Sequence, residues 1–123
     1  VCNDCHGGTT TQQVVSNLDQ TLGKGYQGTV WLDVEPCQGC WSSNGQNNHQ
    51  FVSTIASQLQ SQGYNVGIYA NKNGWGQVMG NAATNTQLSD LPLWYSHWDS
   101  QQNFKDPKAY QFGGWTNPDM KQY

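Results

Sequence analysis

The chain has 123 residues, enough for one domain and a modest core, and carries 8 acidic against 5 basic residues for a formal net charge of -3. Charged residues make up only 11% of it and no basic cluster occurs along the chain, which argues against phosphate neutralisation and hence against nucleic-acid binding. No run of about 18 apolar residues exists to span a membrane, while 6 Trp and 6 Tyr among many Asn, Gln, Ser, Thr and Gly suit a polar extracellular surface or a carbohydrate ligand, whose hydroxyls meet amides and whose flat C–H faces meet indoles.

From Thr10 to Gly23, Val14, Leu18 and Leu22 recur at i, i+4 and i+8 with Val15 beside them, the stripe of an amphipathic helix that Gly23 and Gly25 stop. "GTVWLDVE", Gly28 to Glu35, is β-branched and apolar on both faces and predicts a parallel strand covered on both sides, with Pro36 ending its ladder. Asn47 to Gln62 repeats the helical stripe through Phe51, Ile55 and Leu59, closed by Gly63. "YNVGIYA", Tyr64 to Ala70, predicts a second strand, followed by a short helix from about Asn73 to Met79. "LPLWYSHW", Leu91 to Trp98, predicts a third strand, and "MKQY" after Gly113-Gly114 begins a fourth. This βα alternation predicts an α/β fold with a parallel sheet and outer helices. No G-x-G-x-x-G stands between a strand and a helix, so a barrel is favoured over an open dinucleotide-binding sheet, and no nucleotide cofactor is expected.

The strand at Gly28 to Glu35 carries the chemistry. Side chains on a strand alternate, so Trp31, Asp33 and Glu35 share one side and Leu32 and Val34 the other. Both acids lie at the strand's C-terminal end, where β/α barrels build their active sites. Two carboxylates that close are expected to divide into a resident anion and a proton donor, the pairing that glycosidic bond cleavage uses. A solvent-facing or salt-bridged pair past the last ladder bond is the competing reading.

Cys2-x-x-Cys5 and Cys37-x-x-Cys40 form two C-x-x-C pairs, compatible with disulfides, with a zinc site or with free thiols. An even count in a chain of secreted character favours disulfides, in any of three connectivities. His6, His49 and His97 are too scattered for a ligand set, so no metal is expected; His97, at a strand end, reads as a hydrogen-bonded rim residue or a substrate contact.

The blocks "VWLDVEP", "NVGIYANKNGW", "LPLWYSHWD" and "FGGWTNPDMKQY" resemble, in order and over essentially the whole chain, those of the glycoside hydrolase family 25 lysozymes, in particular their nematode and protist branch. The resemblance implies an irregular, TIM-like β/α barrel that cleaves the β-1,4 bond between N-acetylmuramic acid and N-acetylglucosamine in bacterial peptidoglycan, in a secreted or phagolysosomal setting. By that likeness Glu35 is the general acid and Asp33 its partner anion, orienting or stabilising the substrate's 2-acetamido group. Tyr69 and Trp94 then contact sugar, with Trp98 and Asp99 slightly beyond as further candidates. The resemblance also implies local bridges, Cys2–Cys5 and Cys37–Cys40, stiffening the rim beside Glu35.

The family's barrel begins with a strand bearing an active-site Asp and ends with one carrying another Asp in a "VDxN"-like block, and neither is in this chain. The expectation is therefore that residues 1–123 are a single, partial catalytic domain whose sheet edges are completed by the remainder of its own chain or by an extracellular assembly. Two functions compete: a muramidase, favoured by the intact Asp-x-Glu, and a non-catalytic glycan-binding or structural module built on a lysozyme fold. A zinc-ribbon module conflicts with the βα pattern.

Overall fold

The computed structural model describes residues 10–123. In chain order they form helix α1 (Thr11–Leu22), strand β1 (Thr29–Asp33), helix α2 (Gly45–Ser61), strand β2 (Asn65–Ala70), helix α3 (Lys72–Met79) running into a 3-10 turn (Gly80–Ala82), strand β3 (Leu93–Ser96), the single-turn helix α4 (Pro107–Tyr110) and strand β4 (Met120–Gln122). The four strands make one parallel sheet in the order β1-β2-β3-β4. Each strand lies beside the previous one with no reversal of strand order across the sheet, so these four strands show no topological switch point. Among the described residues the sheet is open, with β1 and β4 as its edges.

Local chemistry explains the element boundaries. Thr10 and Gln13 form a reciprocal capping box at the start of α1, the Thr10 hydroxyl accepting from the Gln13 N–H at 3.2 Å and the Gln13 side chain from the Thr10 N–H at 2.8 Å. Asn44 and Asn71 cap α2 and α3 in the simpler way, through their side-chain oxygens. Gly45 is needed where α2 meets the end of α3: a Cβ there would lie 1.8 Å from the Met79 carbonyl oxygen. The β3 strand is shorter than the stretch from Leu91 to Trp98, because Pro92 has no N–H to give the ladder and the chain turns away after Ser96. It is held at its start by Asp119, whose carboxylate accepts from the Leu93 N–H at 2.9 Å and whose own N–H donates to the Leu93 carbonyl at 2.8 Å, setting the register of β4.

One face of the sheet is dry. Val30, Leu32, Val66, Ile68, Ala70, Leu93 and Tyr95 pack with Val15 of α1, Phe51, Val52, Ile55 and Leu59 of α2, and Trp75 and Met79 of α3. Trp75 in turn meets Trp115 edge-on at 5.1 Å, pinning the loop before β4. The other face differs from expectation. Burial along β1 alternates, with Val30 and Leu32 buried, Trp31 partly covered and Asp33 exposed, so this strand is covered on one side only. The apolar run misled because Trp31 supplies hydrophobicity to a face over which no helix packs among the described residues.

Candidate active site on the open face of the sheet

In a parallel sheet, paired residues point the same way. Asp33 pairs with Tyr69, Tyr69 with Trp94, and Trp94 with Met120, so one row crosses all four strands on the open face. The neighbouring rows add Trp31 opposite Gly67, and Ser96 opposite Gln122. Trp94 is the hub of the aromatic set: its ring lies 4.9 Å from Tyr69 and 5.7 Å from Trp31, edge-on to both. Gly67 makes this possible, since a Cβ there would come within 2.4 Å of the Trp31 ring. The result is a shallow cleft of about 260 Å³ lined by Trp31, Asp33, Tyr69, Trp94 and Gln122.

Glu35 stands two residues past the strand. The ladder extends one bond beyond Asp33, the Val34 N–H donating to the Tyr69 carbonyl at 2.9 Å, and Val34 is fully buried, so alternation carries Glu35 to the exposed side that Asp33 occupies. Its backbone is held from the far side of a tight loop: the Trp41 indole N–H donates to the Glu35 carbonyl at 2.7 Å. Within that loop Cys37 and Cys40 are joined as a disulfide, and the Cys40 N–H donates to the Cys37 carbonyl at 3.3 Å. The local pairing implied for these two is observed, and their bond removes both sulfurs as zinc thiolates. Cys2 and Cys5 lie outside the described residues. Buried Asn48 fastens the end of the loop, exchanging hydrogen bonds with Ser42 and donating to the Val78 carbonyl at 2.7 Å.

Tyr69 feels both acids. Burial pushes its phenol pKa up, the bond with the Ser96 hydroxyl works against this, and the charges of Glu35 and Asp33 raise it further. The phenol therefore stays protonated at neutral pH and donates to the Gln122 side-chain oxygen. Asp33, Tyr69 and Trp94 thus lie together in one cleft. Trp98 and Asp99 do not join them in this cleft: Trp98 stands 76% exposed beside a different hollow, and Asp99 is engaged by Lys121 at 2.8 Å.

Asp99 belongs to an ionic cluster that sequence reasoning missed. Lys121, on the helix side of β4 and almost fully buried, reaches Asp99 and, at 3.2 Å, Asp106. Asp106 also accepts from the Tyr95 hydroxyl and from His97 Nδ1, both at 2.6 Å. Burial alone would raise the Asp106 pKa, but the bonds from Tyr95, His97 and Lys121 outweigh it and hold the carboxyl at about 2. His97, Asp99 and Asp106 bring one ligand atom each within 4.8 Å of one another, yet the Lys121 ammonium already sits where a cation would. His97 is thus a hydrogen-bonded rim residue. Trp31 and Gln122 are the other omissions; Trp31 was legible as the residue two before Asp33, whereas Gln122 depended on β4 pairing in this register.

A family model described as "Lysozyme-like protein 1" matches residues 1–123. The chain belongs to this lysozyme-like family. Over its whole length it is 41% identical to "Probable GH family 25 lysozyme 3" and 42% identical to "Counting factor 45-1", both of Dictyostelium discoideum, covering 25% and 40% of those proteins. Over 94% of its length it is 30% identical to "Lysozyme-like protein 5" of Caenorhabditis elegans, covering 51% of it. The chain therefore spans between a quarter and about half of these lysozyme-like relatives. No solved structure matches it significantly. Among the described residues no helix is long and apolar enough to cross a membrane.

Proposed function

We propose that the protein is a lysozyme-type glycoside hydrolase that cleaves the β-1,4 bond between N-acetylmuramic acid and N-acetylglucosamine in bacterial peptidoglycan, with residues 1–123 acting as one unit of the catalytic domain. One observation carries the reading: Asp33, at the carboxyl end of a parallel strand, lines a cleft with the rings of Trp31, Tyr69 and Trp94, and Glu35 follows on the same exposed side, near enough for its charge to act on Tyr69. Glu35, as general acid, gives its proton to the glycosidic oxygen as the bond to the anomeric carbon breaks. Asp33 orients the 2-acetamido group, whose carbonyl oxygen then stabilises the anomeric centre; direct attack by water is the variant of the same scheme. The rings of Tyr69 and Trp94 pack on the sugar. The Cys37–Cys40 bridge supports a secreted or phagolysosomal setting, since reducing compartments disfavour such bonds.

A second reading is favoured by the full-length match to a relative named a counting factor rather than a lysozyme: a module that binds glycan, or packs in an extracellular assembly, without cleaving. A turbidity assay on bacterial cell walls separates the two, comparing the full-length protein with Glu35→Gln. Loss of the general acid is expected to slow clearing by about 10² to 10⁴-fold. Equal clearing by both would remove Glu35 from the mechanism, and sedimentation with walls without clearing by either would favour the binding module.

A further inference from the structure

We propose that the hollow between the start of α3, the end of β3 and α4 is a second binding site, for a saccharide that carries a carboxylate. The inference rests on the glycan-directed reading above and names a substrate feature that the cleft at Asp33 does not address. The hollow holds about 410 Å³, more than the cleft, and is lined by Lys72, Lys108, Asn73, His97 and Trp98 among others. All five basic residues of this net-negative chain are lysines, and two of the five line this one hollow.

The lining also contains an acid, Asp106, whose oxygens are engaged by neighbouring donors, so Lys72 and Lys108 leave the lining with a positive balance of one charge. The Asp106 oxygens accept from Tyr95 and His97 at 2.6 Å and face Lys121 at 3.2 Å. Lys72 donates one bond, to the Lys108 carbonyl at 2.9 Å, and an ammonium has two more to give. No acidic group among the described residues pairs with the Lys108 ammonium. Beside these cations Trp98 holds its indole 76% exposed, a flat apolar surface that a sugar ring would cover. Cation, amide and indole together match a sugar acid better than a bare anion or a neutral sugar.

The two sites adjoin. Ser96 lines the hollow and its hydroxyl bonds the Tyr69 phenol of the cleft, so a glycan strand lying in one reaches the other across a single side chain. Asp106 fixes the proton of His97 on Nδ1 and leaves Nε2 as the imidazole's remaining polar atom.

The test is an NMR titration of the full-length protein at low salt with N-acetylmuramic acid, N-acetylglucosamine and inorganic phosphate, following the tryptophan indole signals. The acid sugar should bind about tenfold tighter than the neutral one, as expected of one charge-assisted contact, and should move the Trp98 signal. Lys108→Gln should erase that preference and Trp98→Ala should weaken both sugars, while Lys24→Gln, the same charge change at the distant end of α1, should alter neither. Equal binding of the two sugars, no binding of either, shifts confined to Trp31 and Trp94, or phosphate competing as well as the acid sugar would each overturn the site. Wall clearing is read separately, so failure of the hydrolase reading leaves this binding difference measurable.

Discussion

Gly67 should be the most sensitive backbone position of the open face, because it is the floor on which Trp31 lies. In Gly67→Ala the new methyl would start 2.4 to 3.0 Å from three carbons of the indole, so the ring must retreat by about 1 Å to reach ordinary contact. Overpacking of this kind costs about 1 to 3 kcal/mol. Two terms offset it: the loss of glycine's freedom in the unfolded chain is worth about 0.4 to 1 kcal/mol, and the partly exposed ring has solvent on one side into which to swing. We expect a net destabilisation of about 1 kcal/mol in urea unfolding, with Trp31 displaced from its edge-on contact with Trp94 and the cleft reshaped. The decisive experiment is a double-mutant cycle. In a Trp31→Ala background nothing remains to clash with, so Gly67→Ala should become stabilising by about 0.5 kcal/mol, a reversal of sign. Equal effects of Gly67→Ala in the two backgrounds, or an unperturbed Trp31 indole resonance in the single variant, would refute the steric argument.

His49 on α2 is buried, with Ser53 near Nδ1 at 3.3 Å and, among the described residues, no hydrogen-bond partner for Nε2. Burial holds its pKa below the ordinary 6.5, so the unfolded chain binds the proton more readily and stability should fall as pH drops below about 6.5. Urea midpoints between about pH 7.5 and pH 5 should show this slope in the wild type and lose it in His49→Leu. Asp106 works in the opposite sense: held at about 2 against an ordinary 3.8, it contributes stability that is complete above about pH 4 and disappears as pH falls towards 2. Asp106→Asn should remove that acid limb and cost about 2 kcal/mol at neutral pH, since it leaves buried Lys121 with Asp99 as its remaining acidic partner; unchanged acid unfolding would show that the cluster is not a stability element.

Elements whose apolar residues repeat with the helical or strand period were legible in advance. The stripes Val14–Leu18–Leu22 and Phe51–Ile55–Leu59 and the runs around Val66 and Leu93 became α1, α2, β2 and β3 with ends moved by no more than about two residues. The short helix at Pro107–Tyr110 was not, because four residues carry no period, and its place is set by contacts such as the Lys72 bond to the Lys108 carbonyl. Of the candidate site, Asp33 and Glu35 could be assigned to one side of β1 because alternation is a property of a single strand. Tyr69 and Trp94 joined them only through registers that no local rule supplies.

The sequence by itself determined the class of fold, the chemical character of its surface and the lone pair of acids at the end of β1, since these follow from composition, period and spacing along one segment. Tertiary structure alone decided which face of the sheet stays open, which aromatics share it with Asp33, and that lysines scattered from Lys72 to Lys121 collect around one end of the sheet. The physical reason is that these outcomes depend on pairing between distant strands and on the packing of helices across one face. Such contacts are paid for by burial far from the residues they bring together.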